Sequence, residues 1–471
     1  MSYRFQEVEP GHAFINSNLV LPKEGVHLAP IRAALTFQHG EIELFDEVGE
    51  PIGTRPDELK LWDENRRHII VPRDFIDSKN YHEFGFDFVD HRPLSYPRAD
   101  IQDSINLRDE NQAAAFDALM SNEGGTLNLA CGQGKTILAL KQAGTLKVPT
   151  LIIVNTTALL EQWKQEVKKF LDVRSIGIIQ GDSFDWEHPI VIAMVHTLSH
   201  RRERWPMQFR KHFGLIFYDE GHHMSAPVFV RSADLFFGRR YCLTATATRT
   251  DGLQAIYQHH LGRVIYRNLS QELIPKTIFY RLKWEFDERY KPRVTDSGGE
   301  VSFPRVRTYI GELDWRNELI YQHAIQDIRK GRRLLILSHS VKHVERIADK
   351  LSRSAEALPG VITGNTPQEE RMHILHHSNP VIGTFQLARE GLNKPTLDTL
   401  YITTPFSNPN DLQQSWGRIQ RKDPNKKEPV VRVYEDLAFA CTSRSCRTLR
   451  GHLNHMGYPT QIKRINVEDL K

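Results

Sequence analysis

Leu129-Ala130-Cys131-Gly132-Gln133-Gly134-Lys135-Thr136 is the stretch on which the reading of this chain turns. Thr126-Leu127-Asn128-Leu129 before it predicts a short buried strand, and Ile137-Leu138-Ala139-Leu140-Lys141-Gln142-Ala143 after it predicts a helix. Strand, glycine loop and helix in that order is the context a phosphate-binding loop requires. Gly132 and Gly134 let the backbone turn tightly, so that successive N–H groups face inward as an anion nest. The first helical turn adds free N–H groups and the positive end of its dipole. Lys135 is then placed to reach the β- and γ-phosphates of ATP, and Thr136 to hold Mg²⁺ through its hydroxyl. Leu129 stands where the usual pattern opens with glycine, so Gly132 has to supply the flexibility. Cys131 contributes its backbone N–H, since nothing beside it argues for a covalent nucleophile. A glycine-rich turn without a ligand is the alternative for the loop taken alone.

The 471 residues allow about three domains on the usual size expectation. An apolar share of 40% and a charged share of 25% are ordinary globular values. A net charge of +4 permits a nucleic-acid partner without requiring one. Met1-Ser2-Tyr3-Arg4-Phe5-Gln6-Glu7 lacks the apolar core of a signal peptide, and no apolar run approaches membrane-spanning length. Four cysteines do not make a disulfide framework, which favours a reducing compartment, the cytoplasm of a cell or of an infected host.

Residues 1–100 differ in character from the rest of the chain. Glu41-Ile42-Glu43-Leu44-Phe45 and His68-Ile69-Ile70-Val71 read as strands separated by turn-rich clusters, and Phe84, Phe86 and Phe88 alternate as on one strand face. This is a small β-rich or α+β accessory domain, its aromatics better suited to a core than to stacking on bases. From about residue 101 the fold class becomes α/β. Leu151-Ile152-Ile153-Val154, Ile190-Val191-Ile192-Ala193-Met194-Val195 and Leu215-Ile216-Phe217-Tyr218 are continuous apolar runs, as in a parallel sheet covered on both faces. The third run ends in Asp219-Glu220-Gly221-His222, where ligands bind in open α/β sheets. Asp219 can hold Mg²⁺ through its water shell, and Glu220 can orient and deprotonate an attacking water.

With these motifs in order, residues 105–440 resemble a superfamily 2 helicase, closest to the XPB- and UvsW-like DNA helicases, including phage-encoded ones. The resemblance implies two RecA-like parallel-sheet lobes. Arg108-Asp109-Glu110-Asn111-Gln112 is similar to the segment whose glutamine reads adenine, here Gln112. Glu161-Gln162-Trp163 and Val195-His196-Thr197 resemble first-lobe elements that touch the nucleic-acid backbone, which implies contacts at Gln162, Trp163 and Thr197. Leu243-Thr244-Ala245-Thr246 resembles the threonine-bearing motif that couples the lobes.

In the second lobe, Leu334-Leu335-Ile336-Leu337-Ser338 and Pro380-Val381-Ile382-Gly383-Thr384 read as strands, the latter ending in a further candidate backbone contact, Thr384. Ala388-Arg389-Glu390-Gly391-Leu392-Asn393 resembles the fifth motif, which places Gly391 at the nucleotide, although aspartate is commoner where Asn393 stands. Gln414-Ser415-Trp416-Gly417-Arg418-Ile419-Gln420-Arg421 resembles the sixth, which implies roles in hydrolysis for Gln414, Arg418 and Arg421. The spacing of the two arginines puts both on one helical face, and the resemblance turns that face toward the phosphate loop. A planar, permanently charged guanidinium suits charge spreading over the γ-phosphate.

The expected organisation is an accessory domain over 1–100, lobe 1 over 101–268, an interlobe insertion or linker over 269–317, and lobe 2 over 318–471. Lys291-Pro292-Arg293-Val294 and Ser297-Gly298-Gly299-Glu300 make 269–317 a charged excursion, either a strand-gripping wedge or a long linker. Cys441, Cys446, His452 and His455 superficially suggest zinc, but Leu449, Leu453 and Met456 recur at helical spacing and favour a terminal amphipathic helix. The reading is a monomeric, ATP- and Mg²⁺-dependent DNA helicase or translocase acting on single-stranded, forked or junction DNA. An RNA helicase, or an ATP-driven switch that binds nucleic acid without unwinding it, is the alternative.

Overall fold

The computed structural model describes residues 12–45, 51–77, 87–130, 132–200, 204–221, 230, 232–245, 253–270, 273–389, 392, 394–406, 409–421 and 423–470. The expectations placed on Cys131, Gly391, Thr246, Phe84 and Phe86 lie outside the described residues. Among the described residues, no helix is long and apolar enough to cross a membrane. The chain divides into two compact units, Met1–Leu129 with Gln133–Leu269, and Ala130–Gly132 with Ser270–Lys471.

The first unit is built on an eight-stranded sheet. Its strand order is Ser183–Phe184, Ile176–Gln180, Ile190–Met194, Thr150–Val154, Leu215–Asp219, Arg239–Thr244, Gly124–Leu129 and Val264–Asn268. All pairings are parallel except that of the outermost two-residue strand. The apolar runs form its centre because both faces are covered. Ile152, Val154, Ile192 and Phe217 face one core, while Leu151, Ile153, Val191 and Ile216 face the other. Register sets Asp219 beside Leu243 and Thr244 beside Asn128, so three strands reach the same edge with their C-terminal ends.

The N-terminal part is β-rich. Asp63–Glu64, His68–Pro72, Asn18–Pro22, His12–Ile15 and Asp87–Asp90 make one sheet in that order, and Thr36–Phe45 pairs with Pro51–Lys60 as a ribbon. Its core of Ala13, Ile15, Leu19, Leu21, Ile69 and Val71 closes on Ile256 of helix Gln254–Leu261. The apolar face of this part is therefore finished by the first lobe. Buried Arg73 adds hydrogen bonds to the carbonyls of Phe237 (3.0 Å) and Gly238 (2.8 Å).

The second unit holds a seven-stranded parallel sheet in the order Gly360–Ile362, Val381–Thr384, Leu334–Ser338, Thr399–Ile402, Val430–Asp436, Lys276–Lys283 and Thr460–Asn466. This corrects the reading of 269–317 as an insertion or linker. Lys276–Lys283 is a strand inside the sheet, paired on both sides, with Phe279 and Leu282 fully buried. Beyond it, Lys291–Val294 and Phe303–Gly311 are helices, and Val294, Val306, Tyr309 and Ile310 share a small core with Phe439. Helix Asp314–Arg329 then begins before the expected boundary at 318. Cys441, Cys446, His452 and His455 all lie on helix Ala440–His455, whose Cys446, Leu449 and Leu453 enter the core of this sheet.

Candidate functional site

Helix Lys135–Leu146 starts directly from the glycine loop, and its first residue is preceded by Gly134 in the left-handed region at φ 89°. Gly132 has φ 81°, so both loop glycines occupy backbone conformations that favour glycine. A Cβ on Gly134 would lie 2.4 Å from Gln112 Nε2, so a larger residue there would push the Gln112 amide off the loop. Leu129 and Ala130 are buried at the end of the strand, while Gly132 is exposed and Lys135 and Thr136 are half-buried. Lys135 Nζ donates to the Leu129 carbonyl at 3.0 Å, laying the side chain back along its own loop.

Gln112 is positioned by its helix start. Asp109 caps helix Glu110–Ser121 by accepting from Gln112 N at 2.9 Å, and Gln112 Oε1 accepts from Arg108 N at 2.8 Å. Its Nε2 donates to the Gln133 carbonyl at 3.3 Å, and Arg108 Nη2 donates to Gln133 Oε1 at 3.0 Å. At 6% exposure, Gln112 thus spends both ends of its amide on the cap and the loop. In the structure it braces the loop, and one N–H of its amide lies outside these contacts.

Asp219 ends its strand at the same sheet edge. Glu220 follows at φ 49°, a left-handed backbone that costs a residue with a Cβ free energy and is found at functional sites. Glu220 N donates to Asp219 Oδ1 at 3.1 Å, and Thr244 Oγ1 lies 3.5 Å from Glu220 Oε2. Burial, then the neighbouring Glu220 carboxylate, raises the Asp219 pKa, while Trp163 and the Lys135 ammonium oppose the rise. Lys135, Asp219, Glu220 and Thr244 are therefore one electrostatic neighbourhood. A hydroxyl on Thr136 and a carboxylate on Asp219 are hard oxygen donors of the kind Mg²⁺ takes, and the glycine loop offers N–H groups to phosphate. The residues present fit ATP with Mg²⁺.

Trp163 is not a nucleic-acid contact. It is 1% exposed in the core of the first lobe, and its Nε1 donates to Asp219 Oδ2 at 2.8 Å. The apolar spacing of Leu159, Leu160, Trp163 and Val167 on helix Thr157–Phe170 turns the indole inward. Gln162 on the same helix is half-buried, with Oε1 unpaired. Thr197 is half-buried, and its Oγ1 accepts from Gly181 N at 3.1 Å. Thr384 is half-buried at the C-terminal end of its strand.

In the second unit, helix Pro409–Arg418 ends at Arg418, so Arg418 and Arg421 do not share a helical face as their spacing suggests. The turn after it is fixed by Trp416 Nε1 donating to Thr277 Oγ1 at 3.2 Å, and by Gln420 Nε2 donating to the Leu273 carbonyl and Tyr458 OH. Arg418, at 8% exposure, donates to the Leu392 carbonyl at 3.0 Å. Arg421 is half-buried, and its carbonyl accepts from Lys426 Nζ at 2.7 Å. Gln414 is buried, with Oε1 unpaired.

Comparison with known proteins gives the family. Residues 104–251 match the family described as type III restriction enzyme, res subunit, and residues 315–423 match the helicase conserved C-terminal domain. The DNA 3'-5' translocase XPB2 of Sulfurisphaera tokodaii is 36% identical over 407 residues, covering 77% of this chain and 90% of the relative. A protein of Acanthamoeba polyphaga mimivirus named as an ATP-dependent RNA helicase is 27% identical, covering 87% of this chain and 79% of its own length. Among solved structures, Saccharomyces cerevisiae Dbp5 bound to RNA and ADP BeF3 has the same fold at a TM-score of 0.54 and 15% identity, covering 76% of this chain and 90% of that one. Two RecA-like lobes, the first ending its strands around a glycine loop and an acidic pair, define a nucleic-acid-handling ATPase. The chain belongs to helicase superfamily 2.

Proposed function

We propose that this chain hydrolyses ATP to move along DNA and to remodel it, by unwinding or branch migration, in DNA repair, recombination or replication. The observation that carries the ATPase half is the gathering of Lys135, Asp219, Glu220 and Thr244 at one sheet edge beside the glycine loop. The DNA half is supported by the similarity to the XPB2 translocase over most of both chains. Thr136 and Asp219 would hold Mg²⁺, which supplies positive charge to the phosphate oxygens. The loop N–H groups and Lys135 bind and orient the phosphates. Glu220 accepts the proton of the attacking water. Arg418 and Arg421 offset the charge that spreads over the γ-phosphate oxygens, with Gln414 orienting the reacting groups. Cys131 and Gly391 act through their backbones, and Gln112 steadies the loop while its remaining N–H is open to adenine.

Thr197, Thr384 and Gln162 are suited to contacts with the phosphodiester backbone, so movement is independent of base sequence. Binding should weaken steeply with added salt. The mimivirus relative favours a second reading, an RNA helicase. Steady-state ATPase measured with single-stranded DNA, duplex, fork, four-way junction and RNA separates them. Stimulation by DNA structures well above that by RNA is expected, and the reverse order would replace the DNA reading.

A further inference from the structure

We propose that Trp163 is a positioning residue for the metal-holding carboxylate: its buried indole N–H locks Asp219 in the orientation that receives Mg²⁺·nucleotide. The inference rests on the proposed role of Asp219 and adds a residue to it that touches neither nucleotide nor nucleic acid.

Among the described residues, each oxygen of the Asp219 carboxylate has one donor. Glu220 N serves Oδ1 at 3.1 Å, and Trp163 Nε1 serves Oδ2 at 2.8 Å. One donor adjacent in sequence and one from a separate helix fix the carboxylate plane, yet each oxygen keeps a lone pair for the metal's water shell. The Glu220 donor comes from a strained backbone at φ 49°, next to the carboxylate itself. The Trp163 donor comes from a separate helix, so it sets the direction independently of local backbone.

The identity of the donor matters. Indole N–H donates and cannot accept, so it has one way to meet a carboxylate. It is also neutral, so it orients Asp219 without cancelling the negative charge a cation needs. A lysine or arginine there would compete with Mg²⁺ for the same oxygen. The ring is held rigidly. Thr156 caps the helix by accepting from Leu159 N, and Leu159, Leu160 and Val167 bury the same face. At its far end the helix runs into Leu171–Val173, which pairs with Ile101–Asp103. Partners that orient a metal ligand typically change metal affinity or activity by about 10–100-fold when removed.

The test uses the full chain with Trp163→Phe, and, to keep the ring's size, site-specific replacement of Trp163 by benzothienylalanine, which has sulfur in place of the N–H. Binding of a fluorescent ADP analogue is titrated with Mg²⁺, and DNA binding is measured without nucleotide. Both replacements are expected to raise the Mg²⁺ concentration needed for half-maximal nucleotide binding by about tenfold, with DNA affinity unchanged. An unchanged Mg²⁺ requirement in the benzothienylalanine protein overturns the proposal, whatever happens to Trp163→Phe. Loss of DNA affinity with no change in Mg²⁺ requirement restores the reading of Trp163 as a nucleic-acid contact. Asp219→Ala is run beside them. If it leaves the Mg²⁺ requirement unchanged, the metal role of Asp219 fails and the positioning role falls with it, a result distinguishable from failure at Trp163 alone.

Discussion

The Lys135 ammonium donates to the Leu129 carbonyl at 3.0 Å, spanning the whole glycine loop from the helix back to the strand. A lysine that only stabilised the loop would be exchangeable at the cost of one hydrogen bond, about 1 kcal/mol. A lysine that also meets phosphate loses transition-state stabilisation, on the scale of 10²–10³ in turnover for a single electrostatic group. Lys135→Ala is therefore expected to melt within a few degrees of the parent while ATP turnover at saturating DNA falls at least about a hundredfold. Near-normal turnover would remove Lys135 from the site.

Glu220 carries two separable features, a carboxylate and a left-handed backbone at φ 49°. Glu220→Gln keeps size and hydrogen bonding but loses the base, so ATP should still bind while hydrolysis slows by about 10²–10⁴. Glu220→Gly loses the base as well, yet relieves the backbone and should gain up to about 1 kcal/mol in stability. Chemical denaturation of the two variants checks this. A glycine variant less stable than the glutamine one would show that the side chain supports the fold.

The loop, the acidic strand end and the apolar strands are legible in the sequence because their meaning is local: glycine spacing, strand polarity and the order of motifs all lie in consecutive residues. Trp163 is not, because an indole beside glutamine looks the same whether it faces nucleic acid or Asp219, 56 positions away. Lys276-Thr277-Ile278-Phe279-Tyr280-Arg281-Leu282-Lys283 hides its role for a related reason. Its charged ends and position before a glycine-bearing loop suit a connector, and only pairing with Val430–Asp436 and Thr460–Asn466 makes it an inner strand. Arg421 lies beyond the helix because Gln420 is pinned to Leu273 and Tyr458, contacts with no trace in local spacing.

His343 gives the second unit an acid sensitivity. Its ring lies between Ser338 Oγ at 2.9 Å and Asn317 Oδ1 at 2.8 Å, and burial, then Arg316 and Arg346, lower its pKa to about 3. The fold therefore keeps the ring neutral, whereas the unfolded chain takes up a proton below the ordinary value of 6.5. Stability from this group is complete above that value and is lost as pH falls toward 3, by at most about 1.4 kcal/mol per pH unit. At pH 5 the loss should be about 2 kcal/mol. Denaturant unfolding from pH 7 to 5 should show a shallower pH slope for His343→Gln than for the parent. Equal slopes would mean that the ring is protonated in the fold.

The last prediction concerns Arg73 and what happens when the N-terminal part is removed. Two carbonyls of the first lobe, at Phe237 and Gly238, take their hydrogen bonds from this buried guanidinium. Asp74 N donates to the His259 carbonyl at 2.9 Å, and the Asp74 carboxylate is 3.7 Å from Arg240, which is fully buried. Ile256 closes the apolar core of the N-terminal sheet. A chain beginning near Asp100 would thus expose Ile256, remove the donors of the Phe237, Gly238 and His259 carbonyls, and take both Arg73 and Asp74 away from Arg240. Each lost hydrogen bond from a charged donor costs about 1.5–3 kcal/mol, a neutral one about 1 kcal/mol, and the lost apolar burial at Ile256 about 1.5–3 kcal/mol more. Against a typical domain stability of about 5–15 kcal/mol, the shortened chain should be largely unfolded and lose ATPase on every nucleic acid. This differs from a targeting domain, whose loss would spare ATPase on single-stranded DNA and impair only forks and junctions. Arg73→Met in the full chain isolates the effect. It should lower stability by roughly 2–4 kcal/mol while leaving the ratio of fork-stimulated to single-strand-stimulated ATPase unchanged. A shortened chain that melts like the parent and hydrolyses ATP normally would show that the first lobe completes its own core.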